Sequence, residues 1–253
     1  MGMLPDSNAD WQKIAQNRPY YGVLSEAAYQ DSALSDEQRA AFFESGQRYV
    51  NMVLDQCTRF FGPDWQAGKA LDFGCGVGRL ALPLSRRFTE VTGLDVAPAM
   101  LSEARFLTEQ AGVTNIRWRL ADDALTAIAQ EHFDFMLSFI VFQHIPEVRG
   151  QAILKRLLQH LAPGGMGVFH FKYAQVSPRH PAATFLSHRI PGGRMLINAL
   201  RGKPLQEPHM QMNAYNLNRL VQAFQAAGAR EIHTRLEDHG GHWGVEMYIR
   251  RGY

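Results

Sequence analysis

Leu71-Asp72-Phe73-Gly74-Cys75-Gly76-Val77-Gly78 is the stretch on which the reading of this chain turns. Ala70 to Phe73 is apolar enough for a buried strand, and Gly78 to Arg87 reads as a helix, so the glycines occupy a strand-to-helix turn. Glycines there let the backbone bend sharply and approach a ligand with no Cβ in between. The free N–H groups of the next helix favour an anionic group. Dinucleotide-binding turns place Gly-x-Gly-x-x-Gly at the same point of a fold. Here the last glycine of that spacing is replaced by Arg79, so a dinucleotide is not expected.

Working outward, apolar runs and helical stretches alternate. Val91 to Leu94 reads as a second strand, Pro98 to Gln110 as a helix, Ile116 to Leu120 as a third strand and Phe133 to Val141 as a fourth. Glu147 to Leu161 reads as a helix closed by Pro163-Gly164-Gly165, and Met166 to Phe171 as a fifth strand. A helix from Leu217 to Ala227, a strand near Ile232 and a closing strand from Val245 to Arg250 complete the series. Alternation of this kind predicts an α/β fold, a mostly parallel sheet with helices on both faces. Residues 172–213 interrupt it with five prolines and Gly192-Gly193, and are read as an insertion. Residues 1–66 form an N-terminal helical extension, with Ser35 as a helix cap and Phe42, Phe43, Tyr49, Val50, Val53 and Leu54 at helical spacing.

Composition narrows the function classes. At 253 residues, 46% hydrophobic and 20% charged, the chain suits one large α/β domain with additions, 67–253 here, and not a disordered tail. Cys57 and Cys75 supply neither a disulfide framework nor a cysteine zinc site, which fits a reducing compartment. Asp6 and Asp10 lie where a secretory leader needs basic and apolar residues, and no apolar run approaches a membrane span, so the expected location is cytoplasmic. The net charge of +2 does not suggest a general nucleic-acid surface. Between Glu147 and Glu207, however, there is no acidic residue, while Arg149, Lys155, Arg156, Lys172, Arg179, Arg189, Arg194, Arg201 and Lys203 all fall there.

Two more acidic positions follow predicted strands. Asp95, in Thr92-Gly93-Leu94-Asp95-Val96, is placed to accept hydrogen bonds from both ribose hydroxyls of an adenosine-containing cofactor. In Leu120-Ala121-Asp122-Asp123-Ala124 an acid is placed to accept from an adenine amino group. Any one of these carboxylates alone would pass for a helix cap. Three at the carboxyl ends of successive strands converge on one crevice.

With these motifs the chain resembles the class I S-adenosylmethionine-dependent methyltransferases, in the branch of bacterial small-molecule and quinone enzymes. The resemblance covers about Lys69 to Phe171 well and the last strands loosely. It implies that Gly74, Cys75 and Gly76 pass under the methionyl part of S-adenosylmethionine, with Asp72 near its amino end. It further implies that Asp95 holds the ribose, Met100 packs by the adenosine, Asp122, Asp123 and Ala124 frame the adenine, and Ser138 to Val141 lie beside the sulfonium. The implied fold is Rossmann-like and doubly wound, a mostly parallel seven-stranded sheet with an antiparallel last strand, and the implied product is S-adenosyl-L-homocysteine. The run Ser138 to Pro146 carries neither the Asp/Asn-Pro-Pro-aromatic motif of amino-directed DNA enzymes nor the nucleophilic cysteine close to a proline that cytosine-C5 enzymes need, so nucleic acid is not the expected acceptor.

The expected reaction is methyl transfer to an oxygen or nitrogen of a small molecule. Methylation of RNA or protein, and a non-catalytic cofactor-binding scaffold, are the alternatives. His144 and, secondarily, His170 are candidate bases, against which stand ordinary structural roles. Asp238-His239-Gly240-Gly241-His242 suggests a metal only superficially. Transfer from a sulfonium requires none, and paired glycines suit a tight hairpin, so no metal site is expected. Trp11, Tyr20 and Tyr21 either close over the cofactor or pack helices. Residues 172–213 are read as a cover that selects anionic substrates, with neutralisation by N-terminal acids or a peripheral membrane contact as the competing roles. Oligomeric state is not legible.

Overall fold

The computed structural model describes residues 7–31, 34–175, 210–238 and 241–253. Seven strands make one sheet: β1 (Lys69–Phe73), β2 (Glu90–Asp95), β3 (Ile116–Leu120), β4 (Phe133–Ser138), β5 (Leu161–Gln175), β6 (Ala229–Asp238) and β7 (His242–Arg251). Their order is β3-β2-β1-β4-β5-β7-β6, with β7 antiparallel to both neighbours. The first three strands wind one way from β1 and the next start on its other side, so β1 and β4 flank the point where strand order reverses. In open α/β sheets a crevice forms beyond the carboxyl ends of the strands at that point.

Strands buried on both faces need two apolar layers. One face packs α6 (Glu147–Gln159) and α7 (Leu217–Ala226) on Phe169, Phe171, Met247 and Ile249. The other packs α3 (Asp36–Phe61) and α4 (Ala81–Ser85) on Ala70, Phe135, Leu137 and Val168. A satellite cluster joins α1 (Ser7–Asn17), α2 (Pro19–Val23) and α5 (Pro98–Gln110) through Ala15, Tyr20, Phe42 and Met100. The extension at 1–66 thus contains two kinds of helix. Val50, Val53, Leu54 and Cys57 of α3 belong to the main core, whereas α1 and α2 lie over α5.

Ser35 caps α3 as its side chain implies: Gln38 N–H donates to Ser35 Oγ at 3.2 Å and Ser35 N–H to Gln38 Oε1 at 2.9 Å. Boundaries differ from the sequence reading at several elements: β5 runs on to Gln175, into the first residues of the expected insertion, and β7 starts at His242, while three others have a local cause. The helix after the glycine turn covers only Ala81–Ser85, because Pro83 has no N–H to offer the Arg79 carbonyl and Gly46 of α3 presses on that carbonyl. A Cβ on Gly46 would sit 2.2 Å from it. The fourth strand stops at Ser138, where Ile140 takes φ 59° and Phe142–His144 coils into a 3-10 turn. The fifth starts at Leu161, the register slipping between the Phe133 and Phe135 pairings so that Pro163-Gly164-Gly165 lies within the strand. Most of the 172–213 insertion, with Arg179, Arg189, Arg194, Arg201 and Lys203, lies outside the described residues, as does His239. Among the described residues no helix is long and apolar enough to cross a membrane.

Candidate active site

A cleft of about 830 Å³, counting its open mouth, lies at the carboxyl ends of β1, β2 and β4. Ligand-binding clefts typically enclose about 300–1,000 Å³. Its floor is the glycine turn. Gly74 N–H and Cys75 N–H both donate to the Leu94 carbonyl, at 2.8 and 3.0 Å, which pins the turn to the end of β2. Gly74 and Gly76 adopt φ 77° and 52°, and a Cβ on either would meet Val141 at 2.3 Å or Val23 at 2.5 Å. Only glycine meets both demands.

Asp95 closes the second side. Its Oδ2 accepts from Gly76 N–H and its Oδ1 from Ala97 N–H, each at 2.9 Å. Burial pushes its carboxyl above the usual range, opposed by these backbone donors. Each oxygen keeps a further lone pair. Met100, from α5, walls the same region.

After β3, Asp122 and Asp123 reach the rim already engaged. Asp122 accepts from Thr126 N–H at 2.9 Å and from the Thr126 hydroxyl, which hold its carboxyl below the usual range. Asp123 accepts a forked pair from Arg149, Nε and Nη2 each at 2.7 Å.

Of the residues singled out from sequence, Gly74, Gly76, Asp95, Met100, Asp122, Asp123 and His144 line the cleft. Asp72, Cys75, Ala124, Ser138 and His170 are not among its lining residues. Asp72 is buried behind the turn, its Oδ2 without a hydrogen-bond partner. Burial outweighs the nearby Arg79 guanidinium and raises its carboxyl to about 7. The Cys75 thiol is buried too, and pushed well above its ordinary range, so it is no nucleophile. Ser138 is wholly buried with Oγ unpaired. His170 sits on β5 opposite Glu246 of β7, its ring 5.2 Å from that of Phe139.

His144 is 7% exposed. Its Nδ1 lies 2.7 Å from the Gln211 carbonyl, which can only accept, so Nδ1 carries the proton and Nε2 is left as acceptor, 3.3 Å from Gln143 Nε2. Burial lowers its pKa to about 4, keeping the imidazole neutral.

Of the remaining lining, the sequence marks Trp11 and the run Phe139 to Val141 as cofactor neighbours, whereas it gives Asn8, Gly22, Val23, Arg149 and Ile153 no such role. Asn8 and Trp11 come down from α1, Gly22 and Val23 from α2, Phe139 and Ile140 from the end of β4, and Arg149 and Ile153 from α6. Trp11 meets His144 edge-on at 4.9 Å, and Tyr20 donates to Glu103 at 2.7 Å. Ile140 is a β-branched residue in left-handed backbone, a conformation that costs on the order of 1–3 kcal/mol and concentrates at functional sites. No local pattern announces it. Tyr49 of α3 packs on Phe139 at 4.0 Å and donates to the buried Glu246 at 2.8 Å, so the wall of the cleft is braced from β7.

Comparison with known proteins agrees with this geometry. The family description "Methyltransferase domain" matches residues 70–165. The ubiquinone biosynthesis O-methyltransferase of Cereibacter sphaeroides is 37% identical over 105 residues, 41% of each chain. That of Stutzerimonas stutzeri is 30% identical over 101 residues, 40% of this chain and 43% of its own. The chain thus spans about two fifths of the curated relatives it matches. Among solved structures, the magnesium protoporphyrin IX methyltransferase of Synechocystis with bound SAH superposes with a TM-score of 0.63 at 17% identity, covering 98% of this chain and all of that one. An S-adenosylmethionine-dependent methyltransferase from Clostridium acetobutylicum gives 0.56 at 14% identity, covering 82% and 92%. Residues 70–165 thus match the methyltransferase-domain model, and the chain has the Rossmann-like fold of the S-adenosylmethionine-dependent methyltransferases on which it superposes.

Proposed function

We propose that the chain binds S-adenosylmethionine in this cleft and transfers its methyl group to an oxygen or nitrogen of a small-molecule acceptor, leaving S-adenosylhomocysteine. The observation that carries the reading is the convergence of Gly74, Gly76, Asp95 and Met100 on one cleft inside the methyltransferase-domain match. The residues fit the cofactor. Asp72 Oδ2 is a buried acceptor awaiting a donor, suited to an amino group, and Gly74 and Gly76 leave room that any Cβ would fill. In this reading Gly74, Cys75 and Gly76 underlie the methionyl part, Asp95 accepts from the ribose, and Asp122, Asp123 and Ala124 frame the adenine. Ser138 lies beneath the sulfonium end. When bound, the cofactor supplies an electrophilic methyl group.

The chain's own contribution is alignment behind apolar walls. Trp11, Val23, Phe139, Ile140 and Val141 exclude water around the reacting atoms. Holding two reactants in line is worth up to about 7–11 kcal/mol of barrier. For an acceptor arriving protonated, neutral His144 is the base, through Nε2. His170, beyond Phe139, is a weaker candidate. The relatives' names, ubiquinone biosynthesis O-methyltransferase, support an oxygen acceptor. The acid-free run between Glu147 and Glu207 supports an anionic one, with 172–213 as its cover and α1 and α2, within the 1–66 extension of the 67–253 domain, as the lid.

The test is incubation with labelled S-adenosylmethionine and a metabolite pool, identifying the labelled product by mass. Transfer to a small molecule is the expected result. Cofactor binding without S-adenosylhomocysteine formation on any acceptor would instead make the protein a scaffold.

A further inference from the structure

Arg149 stands in the first turn of α6 and lines the cleft. Its forked pair takes both oxygens of Asp123, and the same Nη2 also donates to Asn8 Oδ1 at 3.0 Å. One side chain therefore joins the loop after β3, the start of α6 and the helix α1 that overhangs the cleft. As a stabilising ion pair this is worth little, because the side chains are 29% and 49% exposed and water screens them. Its geometry has the more specific consequence. A guanidinium offers donors in a rigid plane, so a change in the orientation of Asp123 is passed on to Asn8. An ammonium would not transmit it.

The helix at the other end depends on such footholds. α1 has 11 residues, below the length at which an isolated helix holds in water. Besides Arg149, it is held by Trp11 against His144, by Gln12 Oε1 accepting from Ala99 N–H at 3.4 Å, by Ile14 packed on Gly22, and by Ala15 in the satellite cluster with Tyr20, Phe42 and Met100. Of these partners, Arg149, His144, Gly22 and Met100 line the cleft, and Ala99 precedes Met100.

We propose that Arg149 is a positioning residue that couples the docking of α1 over the cleft to the ligand held beneath it, through Asp123 on one side and Asn8 on the other. Coupling of this kind is reciprocal: the factor by which a docked α1 tightens the ligand equals the factor by which the ligand tightens α1. The ligand half of the statement rests on the proposed function. The docking of α1 through Arg149 does not.

The experiment measures amide hydrogen exchange of residues 7–17 in the full chain, with and without S-adenosylhomocysteine, alongside calorimetric affinity. Wild type is compared with Arg149→Met, Arg149→Lys and Asn8→Ala; the last alters only the first turn of α1 and leaves the sheet intact. Without ligand, Arg149→Met and Asn8→Ala should each speed exchange in α1, while exchange in β1 and β4 stays as in wild type. With ligand, Arg149→Met should weaken binding about five- to tenfold and remove the same factor of α1 protection, the lower end of typical couplings. Arg149→Lys should behave like Arg149→Met. Unaltered α1 exchange in the ligand-free Arg149→Met and Asn8→Ala proteins would overturn the proposal. So would weakened binding in Arg149→Met with full ligand-induced protection of α1, which would make Arg149 a direct ligand contact. A wild type that does not bind S-adenosylhomocysteine would overturn the cofactor reading and the ligand half together, the ligand-free exchange still deciding the docking role.

Discussion

Replacing Asp95 by Asn isolates the charge that the cleft offers to a ribose. The shape hardly changes, and the remaining oxygen still satisfies one of the two backbone donors, Gly76 N–H or Ala97 N–H. What is lost is one anionic acceptor, replaced by an amide N–H that faces donors. A hydrogen bond to a charged group is worth about 1.5–3 kcal/mol, so the affinity for S-adenosylhomocysteine should fall by about tenfold to 150-fold. Burial raises the Asp95 carboxyl, so the wild type should lose affinity in acid from a higher pH than an ordinary carboxylate would dictate. Asp95→Asn should lack that part of the pH dependence. Titration calorimetry at several pH values reads both effects. Equal affinity in the two proteins at pH 8 would remove Asp95 from the ligand site and refute the reasoning.

The other predictions concern buried titratable groups. Asp72 has its folded pKa raised from 3.8 to about 7, so the fold favours the protonated form. That contribution is fully present below pH 3.8 and is lost as pH rises through about 7. Asp72→Asn should therefore gain on the wild type, by on the order of 4 kcal/mol between those limits, in urea denaturation of the ligand-free protein; a pH-independent difference would contradict the burial argument. His144 shifts the opposite way, from 6.5 to about 4, so its contribution is present above pH 6.5 and lost as pH falls through about 4. His144→Gln should abolish that acid loss, about 3 kcal/mol, as followed by thermal melts between pH 4 and 7. If His144 is the base, His144→Ala should lower kcat by about 10²- to 10⁴-fold, far more than the loss of its contact with Trp11 weakens S-adenosylhomocysteine binding. A kcat within about threefold would leave alignment as the whole mechanism.

Much of the fold was legible because its determinants are local. Strand runs such as Ile116–Leu120, the helix Pro98–Gln110 and the failed dinucleotide spacing at Arg79 are each decided within a few residues. The cleft floor was legible for the same reason: Gly74 and Gly76 come just after β1, Asp95 ends β2, and the parallel sheet brings strand ends together. Burial was not legible. Asp72 and Ser138 look like any polar residue after or within a strand, and only the helices packed above them take both out of water. Nor could spacing show that α3 belongs to the main core while α1 overhangs the cleft, since both carry amphipathic helical patterns. Asp123 read alone is a rim carboxylate. Its pairing with Arg149, 26 residues on, and the hydrogen bond from Arg149 to Asn8, near the start of the chain, exist only in three dimensions. The sequence by itself determined the sheet, its winding and the chemistry at the strand ends, because those rest on periodicity and backbone freedom. The tertiary structure alone decided which polar groups are dry, which are paired and what closes over them, because those depend on contacts between segments far apart in the chain.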